Sequence, residues 1–572
     1  MAVLEPAFLE PSATRSGTSR GAWRGALPIL VAALVLAPVG GLVGLAARGS
    51  GDLWPHLIEN VLPHAVLETV QLLAGVGILV AIVGVGTAWL VATCDFPGRR
   101  ILDWALLLPL AMPTYIVAFA YLDILHPVGP VQSLLRELLG IASPADFRLP
   151  DIRSLGGCIL LLGFVLYPYV YISARAMFLM QSATALEVAR TLGAGPAETF
   201  YRVALPLARP AIALGVTLAL LEALNDIGAS EFLGVRTLTV SIYVTWVTRQ
   251  SVEGAAQIAL AMLVVIAALV WIERWARRRQ GFSASGRSSR PPGLHRLPPL
   301  RAATATLACT LPILIGFVFP ALYLVDAARV RVLAFGLPGD LGFWAWNSIA
   351  YSAAATVVTV LLGLLLASAA RRHRGAATTA AIRLASLGYA IPGTVLAVGL
   401  LTPLALADNL LDDTLRAAIG WGPGLLLSGS GFALVYAYAA RFLAIAASGT
   451  EAGYAKIPRS LDDAARSLGE SRAGIVVRVH LPMLRPAILG AALLVFVDCM
   501  KELPATLLLR PFGYESLATY VYGEAARGTY EDGAVAALAI VLVGLLPVAV
   551  LARMSRPVRR GSGGSSATRS PA

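Results

Sequence analysis

The chain has 572 residues, of which 57% are hydrophobic and 14% charged, with a mean hydropathy of +0.75. That apolar excess excludes an ordinary soluble globular protein, and long apolar runs separated by short basic stretches define a polytopic membrane protein. The formal charge of +12 is nearly all arginine, grouped between apolar runs, where cytoplasmic retention of basic residues explains it better than nucleic-acid binding does.

Taken in chain order, residues 1–26 form a tail carrying Arg15, Arg20 and Arg24, read as cytoplasmic. The apolar stretch 27–47 follows; it is too long for the apolar core of a signal peptide and reads as the first membrane helix. Further spans are predicted at 66–93, 101–125, 155–176, 210–228 and 254–273, closing a first half over 27–273. Residues 274–303 are rich in Arg, Gly, Ser and Pro without apolar periodicity and read as a cytoplasmic linker. The second half, 304–553, carries spans at 304–326, 344–370, 380–405, 424–446, 486–508 and 534–553, before a tail over 554–572. The expected fold is therefore all-α, with about twelve transmembrane helices in two homologous six-helix halves. If every span crosses, Arg99-Arg100, Arg277-Arg278-Arg279, Arg371-Arg372-Arg374 and Arg559-Arg560 share one side, and both termini are cytoplasmic. Cys94, Cys158, Cys309 and Cys499 lie in or beside separate spans without CxxC spacing, so neither a metal site nor a disulfide framework is indicated.

The halves repeat. EVARTLGAGPAETFYRVALPLARPAI from Glu187 aligns without a gap with DAARSLGESRAGIVVRVHLPMLRPAI from Asp463, and AMPTYIVAFAYL from Ala111 is similar to AIPGTVLAVGLL from Ala390. Each charged segment falls between the fourth and fifth spans of its half. Its acid sits where a helix dipole favours negative charge, and Gly193 or Gly469 then supplies a left-handed turn. Pro206 and Pro482 are expected to stop the following helical stretch, with Pro210 and Pro486 in the first turn of the next membrane helix. The product is a short helix, a turn and a second helix at the membrane surface.

These segments resemble the EAA loop of binding-protein-dependent ABC importer permeases. The resemblance implies that Glu187, Ala189, Gly193, Leu205 and Pro206, with Asp463, Ala464, Ala465, Gly469, Leu481 and Pro482, form coupling loops that seat on two copies of an ABC ATPase subunit. Val188 stands where the family usually has Ala and Asp463 where it has Glu; the acid and the small residues are otherwise kept. It also implies a multi-pass bacterial inner-membrane protein served by a periplasmic substrate-binding protein, for which the outward loops 126–153 and 509–533 are candidate docking surfaces. The chain has no GxxxxGKS or GxxxxGKT pattern to cradle nucleotide phosphates, so no cofactor is expected on it and ATP and Mg belong to the partner ATPase. It is expected to be a permease, not an enzyme.

The fifth spans carry ionisable residues that lipid-facing helices avoid: Glu222, Asp226 and Glu231 in the first half, Asp498, Lys501 and Glu502 in the second. Glu222 and Asp226 share a helix face, as do Asp498 and Glu502, and Lys501 is placed to neutralise Asp498. Glu222, Asp226, Asp498 and Glu502 are the candidate translocation path, with an ion-pair network locking the halves as the competing role. Tyr167, Tyr169 and Tyr171 read as an interfacial aromatic belt. MKELPATLLLRPFGYESLA from Met500 and LPLAMPTYIVAFAYLDILHPVGPVQ from Leu108 resemble segments of ferric-iron importer permeases, which implies iron as cargo; thiamine and polyamine permeases of the same family are alternatives. Fe(III) is a hard cation that suits oxygen donors. An ion-gradient-driven transporter also fits duplicated halves with buried acids, but leaves the paired loops unexplained. A scaffold that recruits ATPases without moving solute is a third reading, and it leaves the mid-membrane acids without a role.

Overall fold

The computed structural model describes residues 26–141, 143–180, 189, 191–277, 294–372 and 375–554. Its first half contains α1 (Ala26–Arg48), α2 (Leu62–Thr93), α3 (Arg99–Ala105), α4 (Thr114–Ile124), α5 (Pro130–Leu139), α6 (Leu155–Met180), α7 (Leu205–Asn225), α8 (Gly228–Phe232), α9 (Leu238–Val247) and α10 (Val252–Arg277). The second contains α11 (Pro299–Ile313), α12 (Phe319–Phe335), α13 (Leu341–Arg372), α14 (Ala376–Ala385), α15 (Gly393–Ile419), α16 (Gly431–Ala455), α17 (Arg459–Ser467), α18 (Leu481–Met500), α19 (Pro504–Leu509), α20 (Leu517–Arg527) and α21 (Tyr530–Met554). Among the described residues, eleven helices are long and apolar enough to cross a membrane, and a bent pair makes a possible twelfth.

That bent pair is the predicted span 101–125. Arg99–Ala111 and Thr114–Ile124 meet at 92°, because Pro113 has no N–H to donate and forces Met112 out of the helical region, to φ −101 and ψ 114. The second half breaks at the same place, Ile391-Pro392, where Ile391 has φ −85 and ψ 121. The predicted span 380–405 therefore straddles a break, and the crossing helix is α15. The fifth spans also end earlier than predicted: α7 stops at Asn225 rather than 228, and α18 stops at Met500, with α19 starting only at Pro504. The apolar helix α9 and the more polar α20 lie beyond those breaks, where the sequence reading had placed no helix.

The charged loops enter the fifth spans differently from the expectation. Pro206 and Pro482 do not stop a helix. A widened turn, in which Leu205 N–H bonds Phe200 O and Leu481 N–H bonds Val476 O, carries the helix through both prolines, and Pro210 and Pro486 sit inside it. The linker also ends earlier than predicted. His295-Arg296 pairs in parallel with Cys94-Asp95, and α11 starts at Pro299; residues 278–293 and both tails lie outside the described residues.

The first helix of each half crosses to the other. α1 lies against α14 and α15, while the α11–α12 span meets α4 and α6. Small residues make the crossings close: a Cβ on Gly41 would strike the Gly399 carbonyl and the Pro403 ring, and one on Gly316 would strike the Phe164 carbonyl and Pro109. Proline leaves a carbonyl free at each crossing, and a tyrosine from the other half satisfies it. Pro38 cannot donate to Leu34 O, which accepts from Tyr436 Oη at 2.5 Å; Ile315 O, just before Pro320, accepts from Tyr121 Oη at 2.7 Å. Gly41→Val is expected to lower the thermal midpoint by overpacking this crossing, at about 1–3 kcal/mol. Gly40→Val, whose Cβ meets nothing within 4 Å, is expected to leave it unchanged, and equal midpoints would rule out the close contact.

Candidate translocation cavity and cytoplasmic loops

The two broken fifth spans face each other across the seam between halves. The ungapped register that aligns Gly193 with Gly469 also pairs Glu222 with Asp498, Asn225 with Lys501, and Asp226 with Glu502. All six line one cavity of about 100 Å³, closed by Thr114, Tyr115, Tyr169 and Arg441 among others. The four acids named as the candidate path are thus brought together.

Helix breakage determines their orientation. Where α7 ends, Asp226 turns extended and its carboxylate accepts from the Ser230 N–H at 2.8 Å, Ser230 Oγ at 3.2 Å and Thr114 Oγ1 at 2.5 Å. Glu502 does the same for α19, accepting from the N–H groups of Ala505, at 3.1 Å, and Thr506, at 3.2 Å. Each acid therefore supplies acceptors to backbone donors that the break orphans inside the membrane. Gly393 stands where the first half has Thr114, and a Cβ there would collide with Glu502 and Arg441.

Charge compensation differs between the halves. Lys501 Nζ lies 2.9 Å from Asp498, as its spacing predicted, and Arg441 Nη1 lies 3.1 Å from Glu502. Glu222 and Asp226 are instead held by neutral donors, Glu222 by Tyr389 Oη at 2.8 Å. Arg441 is the residue the sequence reading missed. A lone arginine within an apolar run, it is 5% exposed and also donates to Asn225 Oδ1 at 2.8 Å, which accepts from the Gly393 N–H as well. Arg441 Nε is buried without a hydrogen-bond partner among the described residues. Glu231 accepts from Tyr522 Oη at 2.5 Å and adds a further bond across the seam.

The belt assignment of the three tyrosines is overturned. Tyr167 and Tyr171 are fully buried, and Tyr169 lines the cavity. Tyr171 Oη donates to Asp103 Oδ1 at 2.9 Å, and Arg175 forms a two-pronged bond to the same carboxylate at 2.5 and 2.7 Å. They lie inside the bundle because α6 is covered by α2 and α7.

The repeated loops lie at the opposite ends of α7 and α18 from the breaks. Glu187 falls outside the described residues; Ala189 is half-buried. Gly193 and Gly469 adopt φ +90 and +84, the left-handed turns expected of them. Leu192 and Leu468, just before them, are 82% and 85% exposed. In the second loop Ala465 is buried, Ala464 exposed, and Asp463 projects outward, paired to Arg466 at 3.0 Å. Its neighbour Asp462 is the anchor: it accepts two bonds from Arg371, each 3.1 Å, and one from His480 Nε2 at 2.8 Å. Arg371, which counted only as part of a basic patch, also donates to the carbonyls of Tyr454 and Ile457. Burial alone would raise the Asp462 carboxyl, but the hydrogen bonds from Arg371 and His480 outweigh it and hold the group below the ordinary carboxylate range.

Comparison with known proteins agrees with this duplicated layout. Residues 81–281 and 359–560 each match the family described as "Binding-protein-dependent transport system inner membrane component". The Fe(3+)-transport system permease protein FbpB 2 of Haemophilus influenzae is 24% identical over 85% of this chain and 88% of its own length. The molybdenum transport system permease protein ModB of Escherichia coli is 31% identical over 35% of this chain and 87% of its own. A putative 2-aminoethylphosphonate transport system permease protein, PhnU, of Salmonella choleraesuis is 28% identical over 45% of this chain and 92% of its own. With two family matches covering more than half of its length, on two halves that repeat in helix order, break and loop, the chain belongs to the binding-protein-dependent ABC importer permeases.

Proposed function

We propose that this permease carries ferric iron from a periplasmic binding protein into the cytoplasm, with Glu222, Asp226, Asp498 and Glu502 bordering the route. The observation that carries the reading is the cavity at the seam, where four carboxylates face two cations and leave a formal excess of negative charge. Such a lining attracts a hard cation, and several weak oxygen sites allow it to leave again. A relative that aligns along most of the chain bears a ferric name, which supports the same cargo.

The loops around Gly193 and Gly469 seat on two ATPase subunits, which bind ATP and Mg. The exposed Leu192 and Leu468 and the outward Asp463 support this, because apolar tips on a charged surface suit a protein partner. Both termini lie in the cytoplasm, an orientation that the arginine patches support. Nucleotide-driven closure of the ATPases moves the loops, and the seam between halves opens to alternate sides.

Glu222→Gln with Asp226→Asn is expected to lower uptake of radioactive iron about tenfold, equivalent to about 1.4 kcal/mol, while leaving the thermal midpoint near its original value. Among the described residues neither acid is salt-bridged, so their loss breaks no ion pair there. Unchanged uptake with a lower midpoint would make them part of a lock instead. An anionic cargo is the second reading, favoured by Arg441, whose buried Nε faces the cavity region without a partner among the described residues. Parallel uptake of iron and of molybdate by cells co-expressing the ATPase separates the two.

A further inference from the structure

At the end of the first half away from Gly193, the chain leading into α2 and the helix α9 enclose a second cavity of about 430 Å³. His56, His64, Arg236 and Arg249 form its rim, Ser241 and Thr245 lie deeper, and no carboxylate lines it. The side chains of Arg236 and Arg249 make no hydrogen bond or ion pair with the described residues. Ser241 and Thr245 are 7% and 1% exposed, and neither hydroxyl has a hydrogen-bond partner among the described residues. Both residues line the cavity, so their hydroxyls are available to a ligand that enters it.

The internal repeat acts as a control. Leu238 N–H donates to Thr69 Oγ1 in the first half as Leu517 N–H donates to Ser348 Oγ in the second, both at 2.9 Å. In that register Ser241 corresponds to Tyr520, Thr245 to Glu524, Arg236 to Glu515 and His64 to Phe343. There Tyr520 stacks on Trp344 at 3.9 Å, Glu524 binds Arg527 and Thr529, and Glu515 pairs with Arg510 at 2.9 Å. One half fills and neutralises the position that the other leaves open and basic. The cavity is therefore a property of this sequence and not a consequence of the fold.

We propose that this cavity binds a phosphate-bearing ligand, the headgroup of an anionic phospholipid at the outward membrane interface. Two guanidiniums around one cavity, with hydroxyl and imidazole groups, suit the oxygens of a phosphate. The space far exceeds that of a free phosphate ion, and exposed Leu67 and Val70 on α2 and Val247 on α9, the helices that carry His64 and Thr245, offer acyl chains apolar side chains. Alternation of the spans puts this end outward, across the membrane from the coupling loops.

The full chain, reconstituted in nanodiscs of phosphatidylcholine with a minor fraction of phosphatidylglycerol, is extracted and its retained lipid counted by native mass spectrometry. Phosphatidylglycerol is expected to be enriched over phosphatidylcholine, and Arg236→Gln with Arg249→Gln to reduce that enrichment on the order of tenfold. Ser241→Ala, which leaves every cation in place, is expected to reduce it by a smaller factor; Arg510→Gln is expected to leave it unchanged. In nanodiscs of phosphatidylcholine alone, a thermal shift with inorganic phosphate that the double variant abolishes, without lipid enrichment, would assign the cavity to free phosphate. No enrichment together with no phosphate shift, or an equal loss in Arg510→Gln, would overturn the site.

Discussion

Arg441→Ala is expected to destabilise the permease by about 3–5 kcal/mol, the cost of stranding a buried charge by deleting its partner. Arg441 and Glu502 have side chains only 6% and 2% exposed, and their 3.1 Å contact lies in the seam. Without the guanidinium, Glu502 keeps the N–H groups of Ala505 and Thr506 and the Thr506 hydroxyl, none of which carries charge. Asn225 keeps the Gly393 N–H but loses its contact with α16. The ion pair lies within the second half, and the lost bond to Asn225 is the one that joins the halves. Arg441→Met with Glu502→Gln removes both charges at similar volume and is expected to recover most of the stability, since a neutral pair carries no stranded ion. Thermal unfolding in detergent reads the first effect. Iron uptake by the double variant then decides between roles: stability recovered without transport places Glu502 on the path, whereas recovery of both makes the pair a lock. A single Arg441→Ala variant as stable as the parent would contradict the buried contact itself.

How much of this was legible in the sequence depends on what each feature needed. Span existence came from apolar length, which is local, and the paired acids of the fifth spans were visible as charges no lipid-facing helix tolerates. Their convergence was implicit in the repeat, because one ungapped register places Glu222 with Asp498 and Asp226 with Glu502. The helix breaks were harder to place. Pro113 and Pro392 marked two of them, yet Asp226 and Glu502 terminate their helices by folding back onto the next turn, a choice that depends on Thr114, Arg441 and Gly393 from distant segments. Arg441 carried a readable signal, a single cation in an otherwise apolar run, that was passed over because the acids alone formed a pattern. The crossing of α1 onto the second half left only small residues as a trace, and Gly41 is indistinguishable from Gly40 until Gly399 arrives beside it.

Asp462→Asn is expected to release the second coupling helix while Asp463→Asn leaves it in place, although Asp463 is the acid that aligns with Glu187. Asp462 ties α17 to the end of α13 through Arg371, which also bonds the Tyr454 carbonyl at the end of α16, and to the turn entering α18 through His480, with Arg371 and Asp462 side chains 10% and 15% exposed. Losing the carboxylate weakens hydrogen bonds to charged groups worth about 1.5–3 kcal/mol each. Asp463 is 70% exposed and pairs only with Arg466 on the surface, so its loss changes stability by no more than about 0.5 kcal/mol. Hydrogen exchange over residues 459–467 is expected to quicken in Asp462→Asn and remain unchanged in Asp463→Asn; identical protection in both would remove the anchor. The pH response follows from the sign of the shift. Because the folded carboxyl sits below its ordinary value, its contribution is complete above the unfolded pKa of about 3.9 and is lost as pH falls through the lower folded value. Acidification from neutral pH to about 5 therefore leaves the Asp462 charge in place. On the proposed reading the two acids divide the work of a coupling helix: an inward carboxylate holds α17 to α13 and α16, and an outward one is free to meet the ATPase. Asp462→Asn is accordingly expected to retain ATPase binding but lose stimulation of hydrolysis by transport, and Asp463→Asn to weaken ATPase binding without loosening the helix.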